Sequence, residues 1–197
     1  MEISANLVKD LRAKTGAGMM DCKAALQEAA GNFEKAVELL RIKGMASAAK
    51  KSSREAKEGT VTSYIHNEGR LGVLLEINCE TDFVARTDKF KGFVKDVAMH
   101  IAAAGPRWLR SEEVPLDLIE AEKKIAFEQH QSKPAQALEK IVQGKVNKFF
   151  EDNCLLHQTF VKDSSKTIEQ FLQETIATVG ENITIRRFVR FVLGEGL

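Results

Sequence analysis

The sequence has little cysteine, no long apolar run, no excess of either charge and no glycine-rich phosphate loop. Cys22, Cys79 and Cys154 are the three cysteines of the 197 residues, odd in number and without C-x-x-C spacing. That pattern excludes a disulfide framework or a cysteine zinc cage and fits a reducing compartment. No stretch approaches the roughly 18 apolar residues that a membrane helix needs. The opening Met1-Glu2-Ile3-Ser4 has neither the basic nor the apolar region of a secretory signal. The expectation is therefore a cytoplasmic protein with no membrane partner. Lys and Arg total 29 against 28 for Asp and Glu, a net charge of +1, which argues against a nucleic-acid partner held by bulk charge. Neither G-x-G-x-x-G after a strand nor G-x-x-x-x-G-K-[ST] occurs, so no nucleotide loop of those kinds is expected, and no cofactor. What the chain does have is 44% hydrophobic and 29% charged residues, enough for one or two compact domains that stand without staples.

Periodicity divides the chain. Ser4 suits the cap of a helix carrying Leu7, Val8 and Leu11, and Thr15-Gly16-Ala17-Gly18 breaks it. A second helix has Met19, Cys22, Leu26 and Ala29 in phase, and Asn32 suits the cap of a third with Phe33, Val37 and Leu40. Gly44 falls where a helix C-cap belongs. Three short helices joined by tight turns predict a bundle of the ubiquitin-associated type over residues 1–53, whose last part is a basic, solvated connector containing Lys50 and Lys51.

Residues 54–197 predict an α+β core. Val61, Ser63 and Ile65 alternate with Thr62, Tyr64 and His66, and Asn67-Glu68-Gly69 supplies a turn before Leu71, Val73, Leu75, Ile77 and Cys79. This is an antiparallel hairpin pattern. Phe90, Phe93, Val94, Val97 and Ile101 then follow helical spacing. Further helices are expected near Leu118–Gln131, Pro134–Glu151 and Ile168–Val179, and a last strand over Ile183–Val192. The fold class is thus a three-helix bundle followed by a small antiparallel sheet packed with helices.

Candidate chemistry is sparse. Cys79 and His66 are the pairing a hairpin could bring together for nucleophilic catalysis, but Cys79 is in phase with Leu71–Ile77 and reads as a core thiol. His100 sits among Val97, Ala98 and Ile101 as a satisfied interior histidine. His130 and His157 have no evident partners, and Glu112-Glu113 reads as helix-start charge. No enzyme constellation survives. Two other features stand out. Adjacent Met19 and Met20 cannot share one helix face, so one is open to display, although packing is the more ordinary use. Thr81-Asp82-Phe83-Val84 follows the best strand, where loops carry function. There Phe83 is either an exposed contact or a buried residue with Asp82 capping the turn.

Two long segments resemble a known family. Thr15-Gly16-Ala17-Gly18-Met19-Met20-Asp21-Cys22-Lys23, with Ala25-Leu26, is similar to the N-terminal signature of translation elongation factor Ts. Glu76-x-Asn78-Cys79-Glu80-Thr81-Asp82-Phe83-Val84-Ala85-Arg86 resembles its second signature. Weaker similarity runs through Tyr64-x-His66, Phe160-Val161-Lys162, Gly180-Glu181-Asn182-Ile183 and Arg190-Phe191. The resemblance implies a guanine-nucleotide exchange factor for elongation factor Tu, acting on the GDP-bound and nucleotide-free forms, and not a chemical catalyst. It implies that Thr81, Asp82, Phe83 and Val84 dislodge Mg²⁺ from the GTPase, with Phe83 as a wedge. It makes Leu11, Met19 and Met20 an apolar patch for a GTPase helix, and His66 a further partner contact.

The longer family form has two core subdomains, one with the Thr-Asp-Phe motif and one with the Tyr-x-His strand. Here a single unit carries both, which implies a homodimer, made through residues near Leu71–Cys79 or the terminal strand. The coiled-coil insertion and trailing module of longer relatives are expected to be absent. Thr159 stands where many relatives have proline. The rival readings are a ubiquitin-type adaptor built on the bundle, a thiol hydrolase using Cys79 and His66, and a nucleic-acid binder using Lys50–Lys57.

Overall fold

A computed structural model describes residues 3–195. Met1 and Glu2, from the expected signal-free start, and residues 196 and 197 lie outside the described residues. Helices α1 (Ala5–Thr15), α2 (Met19–Glu28) and α3 (Phe33–Lys51) come first. Strands β1 (Glu58–His66) and β2 (Leu71–Cys79) follow, then α4 (Asp82–Ala85), α5 (Asp88–Ala104), α6 (Leu116–His130), α7 (Ala135–Asn153), α8 (Ile168–Val179) and β3 (Ile183–Val192). The strands form one antiparallel sheet in the order β1-β2-β3. The α+β class expected from periodicity is the one found. Among the described residues no helix is long and apolar enough to cross a membrane.

The chain divides into two units, with residues of every strand in both. The first takes the chain up to Thr60, Glu76–Val94 and Gln170–Arg186. Its opening helices pack on one another around Val8, Leu11, Cys22, Ala25, Leu26, Ala29, Ala36 and Leu40, with Phe33 and Val37 at the edge. Both expected caps form. The Leu7 N–H donates to Ser4 Oγ at 3.2 Å and the Lys35 N–H to Asn32 Oδ1 at 3.0 Å, each satisfying a helix-start donor. Gly16 ends α1 at φ 69°, a left-handed geometry that glycine adopts without strain.

Gly44 is a correction. It does not end α3, which runs on to Lys51. A glycine inside a helix costs about 1 kcal/mol relative to alanine, and the good helix formers of Met45–Lys51 continue the helix past it. Within this unit a Cβ on Gly44 would stand 3.4 Å from the Ala177 Cβ of α8. Elsewhere Ile77, Cys79, Val84, Phe90, Phe93, Ile176, Ile183 and Ile185 are buried, and the Phe93 and Phe171 rings meet at 5.0 Å.

The second unit takes Val61–Leu75, Lys95–Glu169 and the chain from Arg187 onward. Asn67, Glu68 and Gly69 all have positive φ, so the β1–β2 turn is where the sequence places it. Val73, Leu75, Val97, Ile101, Leu155, Phe160 and Ile168 are buried. His100 is wholly buried and satisfied: Nε2 lies 3.0 Å from Gln158 Oε1, and the Val161 N–H donates to Nδ1 at 3.3 Å. Helices α6 and α7 pack together as a hairpin of 15 and 19 residues. They are the two helices expected near Leu118–Gln131 and Pro134–Glu151.

Candidate functional site

Strand β2 buries alternate residues up to Cys79, and the chain then turns at Glu80-Thr81 into the single helical turn α4. Thr81 is the cap, not Asp82. It is extended (φ −128°, ψ 152°), and its Oγ1 accepts the Val84 N–H at 3.3 Å. The turn sends consecutive side chains in opposite directions. Val84 is 5% exposed and Phe83 is 77% exposed. Of the two readings that the sequence left open, the structure takes the one in which the phenylalanine is displayed. An exposed phenylalanine holds about 1.5–3 kcal/mol of transfer free energy that only a docking partner can realise.

Asp82 is exposed and pairs with Arg86 at 2.7 Å across one helical turn. Solvent screening leaves such a pair worth about 0–1 kcal/mol, so it yields readily to a better partner. Behind the turn, all the polar backbone and side-chain groups of Thr81 are engaged. Its N–H donates to Glu181 Oε2 at 3.0 Å and its hydroxyl to Glu181 Oε1 at 2.8 Å. Its carbonyl accepts the Cys79 thiol at 3.2 Å and the Ala85 N–H at 3.3 Å. Glu80 Oε1 accepts the Asn182 N–H at 2.6 Å, while Asn182 Nδ2 donates to the Arg54 carbonyl at 2.7 Å.

The methionines open α2 behind Gly18. Met20 is 74% exposed and Met19 41%, while Cys22, Ala25 and Leu26 turn inward. Met19 was placed by spacing on the inner face, and the first turn of the helix instead leaves it at the rim. Leu11 is 0% exposed, an interior residue of the bundle. The apolar patch therefore comes down to two displayed methionines over a core that Leu11 helps to form. In its own unit His66 ends β1, exposed, with Nδ1 3.1 Å from Tyr64 Oη and the two rings stacked at 5.9 Å.

The thiols do not suit nucleophilic chemistry. All three cysteines are buried. Burial foremost, then the nearby Glu181 charge, pushes Cys79 up to about 11, and burial pushes Cys154 to about 11. A thiol so raised is protonated near neutral pH. Among the described residues no group of three His, Cys, Asp or Glu side chains is placed to hold a metal.

Sequence reasoning missed the Glu181–Thr81 and Glu80–Asn182 bonds. The only signal was a polar Glu-Asn pair directly after the helix-closing Gly180, and its partners lie about 100 residues away in the chain.

The structure thus displays Phe83 on a braced turn after β2, and Met19 and Met20 at the start of α2. Over residues 4–195 the chain matches the family model described as elongation factor TS. It is 60% identical over 197 residues to elongation factor Ts of Fervidobacterium nodosum, covering 99% of this chain and 100% of that protein. It is 61% identical over 198 residues to elongation factor Ts of an Anaeromyxobacter species (strain Fw109-5), covering 100% and 90%. With elongation factor Ts of Citrifermentans bemidjiense it shares 60% over 199 residues, covering 100% and 92%. The chain belongs to the elongation factor Ts family, and its role is in the elongation stage of protein synthesis.

Proposed function

We propose that this protein is the guanine-nucleotide exchange factor of elongation factor Tu, working in the cytoplasm without chemical catalysis. Thr81–Val84 is the working segment. Phe83 enters the GTPase as a wedge near its Mg²⁺ site, and Asp82 exchanges its weak pair with Arg86 for contacts that favour the opened site. Met19 and Met20 grip a GTPase helix, with Leu11 supporting them from within the bundle, and His66 adds a contact of its own. In this reading residues 1–53 are the ubiquitin-associated-like docking domain and residues 54–197 the core that acts on the nucleotide site. The observation that carries the reading is the exposure of Phe83 on a turn whose next residue, Val84, is buried.

Linkage fixes the rest of the behaviour. A factor that weakens nucleotide binding is itself weakened by nucleotide to the same degree. Weakened binding of nucleotide in the complex and release of the factor when nucleotide binds are then one coupling. Each factor of ten in that coupling corresponds to about 1.4 kcal/mol.

The protein acts as a homodimer in this reading. Val61 and Ile65 of β1, Leu74 of β2 and Val189 and Phe191 of β3 are all exposed apolar side chains. A Cβ on Gly72 would meet Ile65 Cδ1 at 3.3 Å, so Ile65 lies over the β2 face that also carries Leu74. An exposed apolar sheet face of this kind supports a self-complementary interface between two copies.

The test is release of a fluorescent GDP from elongation factor Tu with this protein at substoichiometric amounts. Acceleration with turnover is the expected result. Release no faster than the spontaneous rate, from well-folded protein, contradicts the exchange reading.

A further inference from the structure

We propose that Glu181 is the positioning residue of the Phe83-bearing turn, acting through Thr81; the functional consequence rests on the exchange reading above. Helix α4 has four residues, too few to hold together alone because helix nucleation costs more than one turn returns. Phe83 is exposed and so contributes little packing of its own. The direction in which the ring points must be imposed from outside the turn, and Val84 and Thr81 are its two attachments.

Thr81 has a single hydroxyl proton. At 2.8 Å that proton is committed to Glu181 Oε1, which leaves the oxygen lone pairs free to accept the Val84 N–H. The second carboxylate oxygen takes the Thr81 N–H. Both bonds to Glu181 are to a carboxylate, the stronger class. One side chain thus sets the rotamer of the cap, and the cap starts the turn.

A second bond makes the arrangement mutual. Glu80 accepts the backbone N–H of Asn182, and Glu181 accepts the backbone N–H of Thr81. Each acid caps the amide that follows the other acid. Asn182 is itself buried and tied to the Arg54 carbonyl, so residues 181–182 are a fixed base and not a loose arm. A wedge on such a base meets its target already ordered. A wedge on a loose turn must first be ordered, and that cost falls on the step in which the ring enters the nucleotide site, after the complex has formed.

The test uses the full chain with Glu181→Ala, Glu181→Gln and Thr81→Val, read in two ways. Amide hydrogen exchange at Val84 should accelerate about tenfold in Glu181→Ala and Thr81→Val, and less in Glu181→Gln, which keeps one acceptor oxygen. With saturating elongation factor Tu carrying GDP, the turnover rate should fall about tenfold in Glu181→Ala while KM changes little, with Glu181→Gln between it and wild type. An unchanged Val84 amide in Glu181→Ala overturns the proposal, whatever Thr81→Val does, since that variant removes the acceptor itself. So does a loosened amide with undiminished turnover. Wild-type protein that releases no GDP would sink the exchange reading instead, and the amide result would still decide whether Glu181 holds the turn.

Discussion

Phe83 and Val84 are neighbours in one helical turn, yet Val84 is 5% exposed and Phe83 77%. Their roles should separate in the same way. Phe83→Ala removes no buried contact and should leave stability within about 0.5 kcal/mol of wild type. Val84→Ala removes about 1.5 kcal/mol of apolar burial. Urea unfolding of the two variants checks this, and equal losses would mean that Phe83 is packed after all.

His100 gives the fold an acid-sensitive point. Its Nδ1 accepts from Val161, so the proton sits on Nε2 and is donated to Gln158. Burial lowers its pKa below the ordinary 6.5, partly offset by the Gln158 bond. As pH falls below 6.5 the unfolded chain takes up a proton that the folded one resists. Stability from this site is therefore complete above about 6.5 and declines on acidification, by up to ~1.4 kcal/mol per pH unit. Unfolding midpoints between pH 7.5 and 5.5 should fall, and the slope should flatten in His100→Gln.

Much of this was legible in the sequence because it was local. Strand Leu71–Cys79, read from its alternation, the last strand Ile183–Val192, read from its β-branched and aromatic residues, and helix Ile168–Val179, read from its helical spacing, are all found with the expected bounds. Helices α6 and α7 lie within two residues of the expected ends. Gly44 misled because a break signal was weighed without the alanine-rich stretch behind it. Thr81–Val84 stood out because the alternation stops there, and the resemblance gave the segment its role. The direction of Phe83 stayed open because the bonds that brace the turn come from Glu181, 100 positions away and invisible to any local pattern. Leu11 shows the converse. The resemblance made it part of a partner-binding patch, and the structure buries it in the core of the bundle, where it can act on a partner only through its neighbours.

The cysteines should resist modification in the folded protein. Cys79 and Cys154 are raised to about 11 and Cys22 is buried. At pH 8 a thiol reagent should label none of the three until denaturant is added. Rapid labelling of Cys79 in native protein would revive the thiol-hydrolase reading.

Charge on the outer sheet face should dissociate a dimer. Ile65→Asp and Phe191→Asp alter exposed positions, so each should fold. Sedimentation equilibrium should show wild type as a dimer and both variants shifted toward monomer. Wild-type protein that is monomeric at every concentration would contradict the dimer proposal.

In the proposed function Phe83 opens the nucleotide site of elongation factor Tu. Its most direct test is the rate of GDP release from the preformed complex at saturating concentrations of this protein, wild type beside Phe83→Ala. Fast release by wild type is expected, and a rate at least about tenfold lower for the variant, with its fold and stability intact. Equal rates from the two proteins would contradict it.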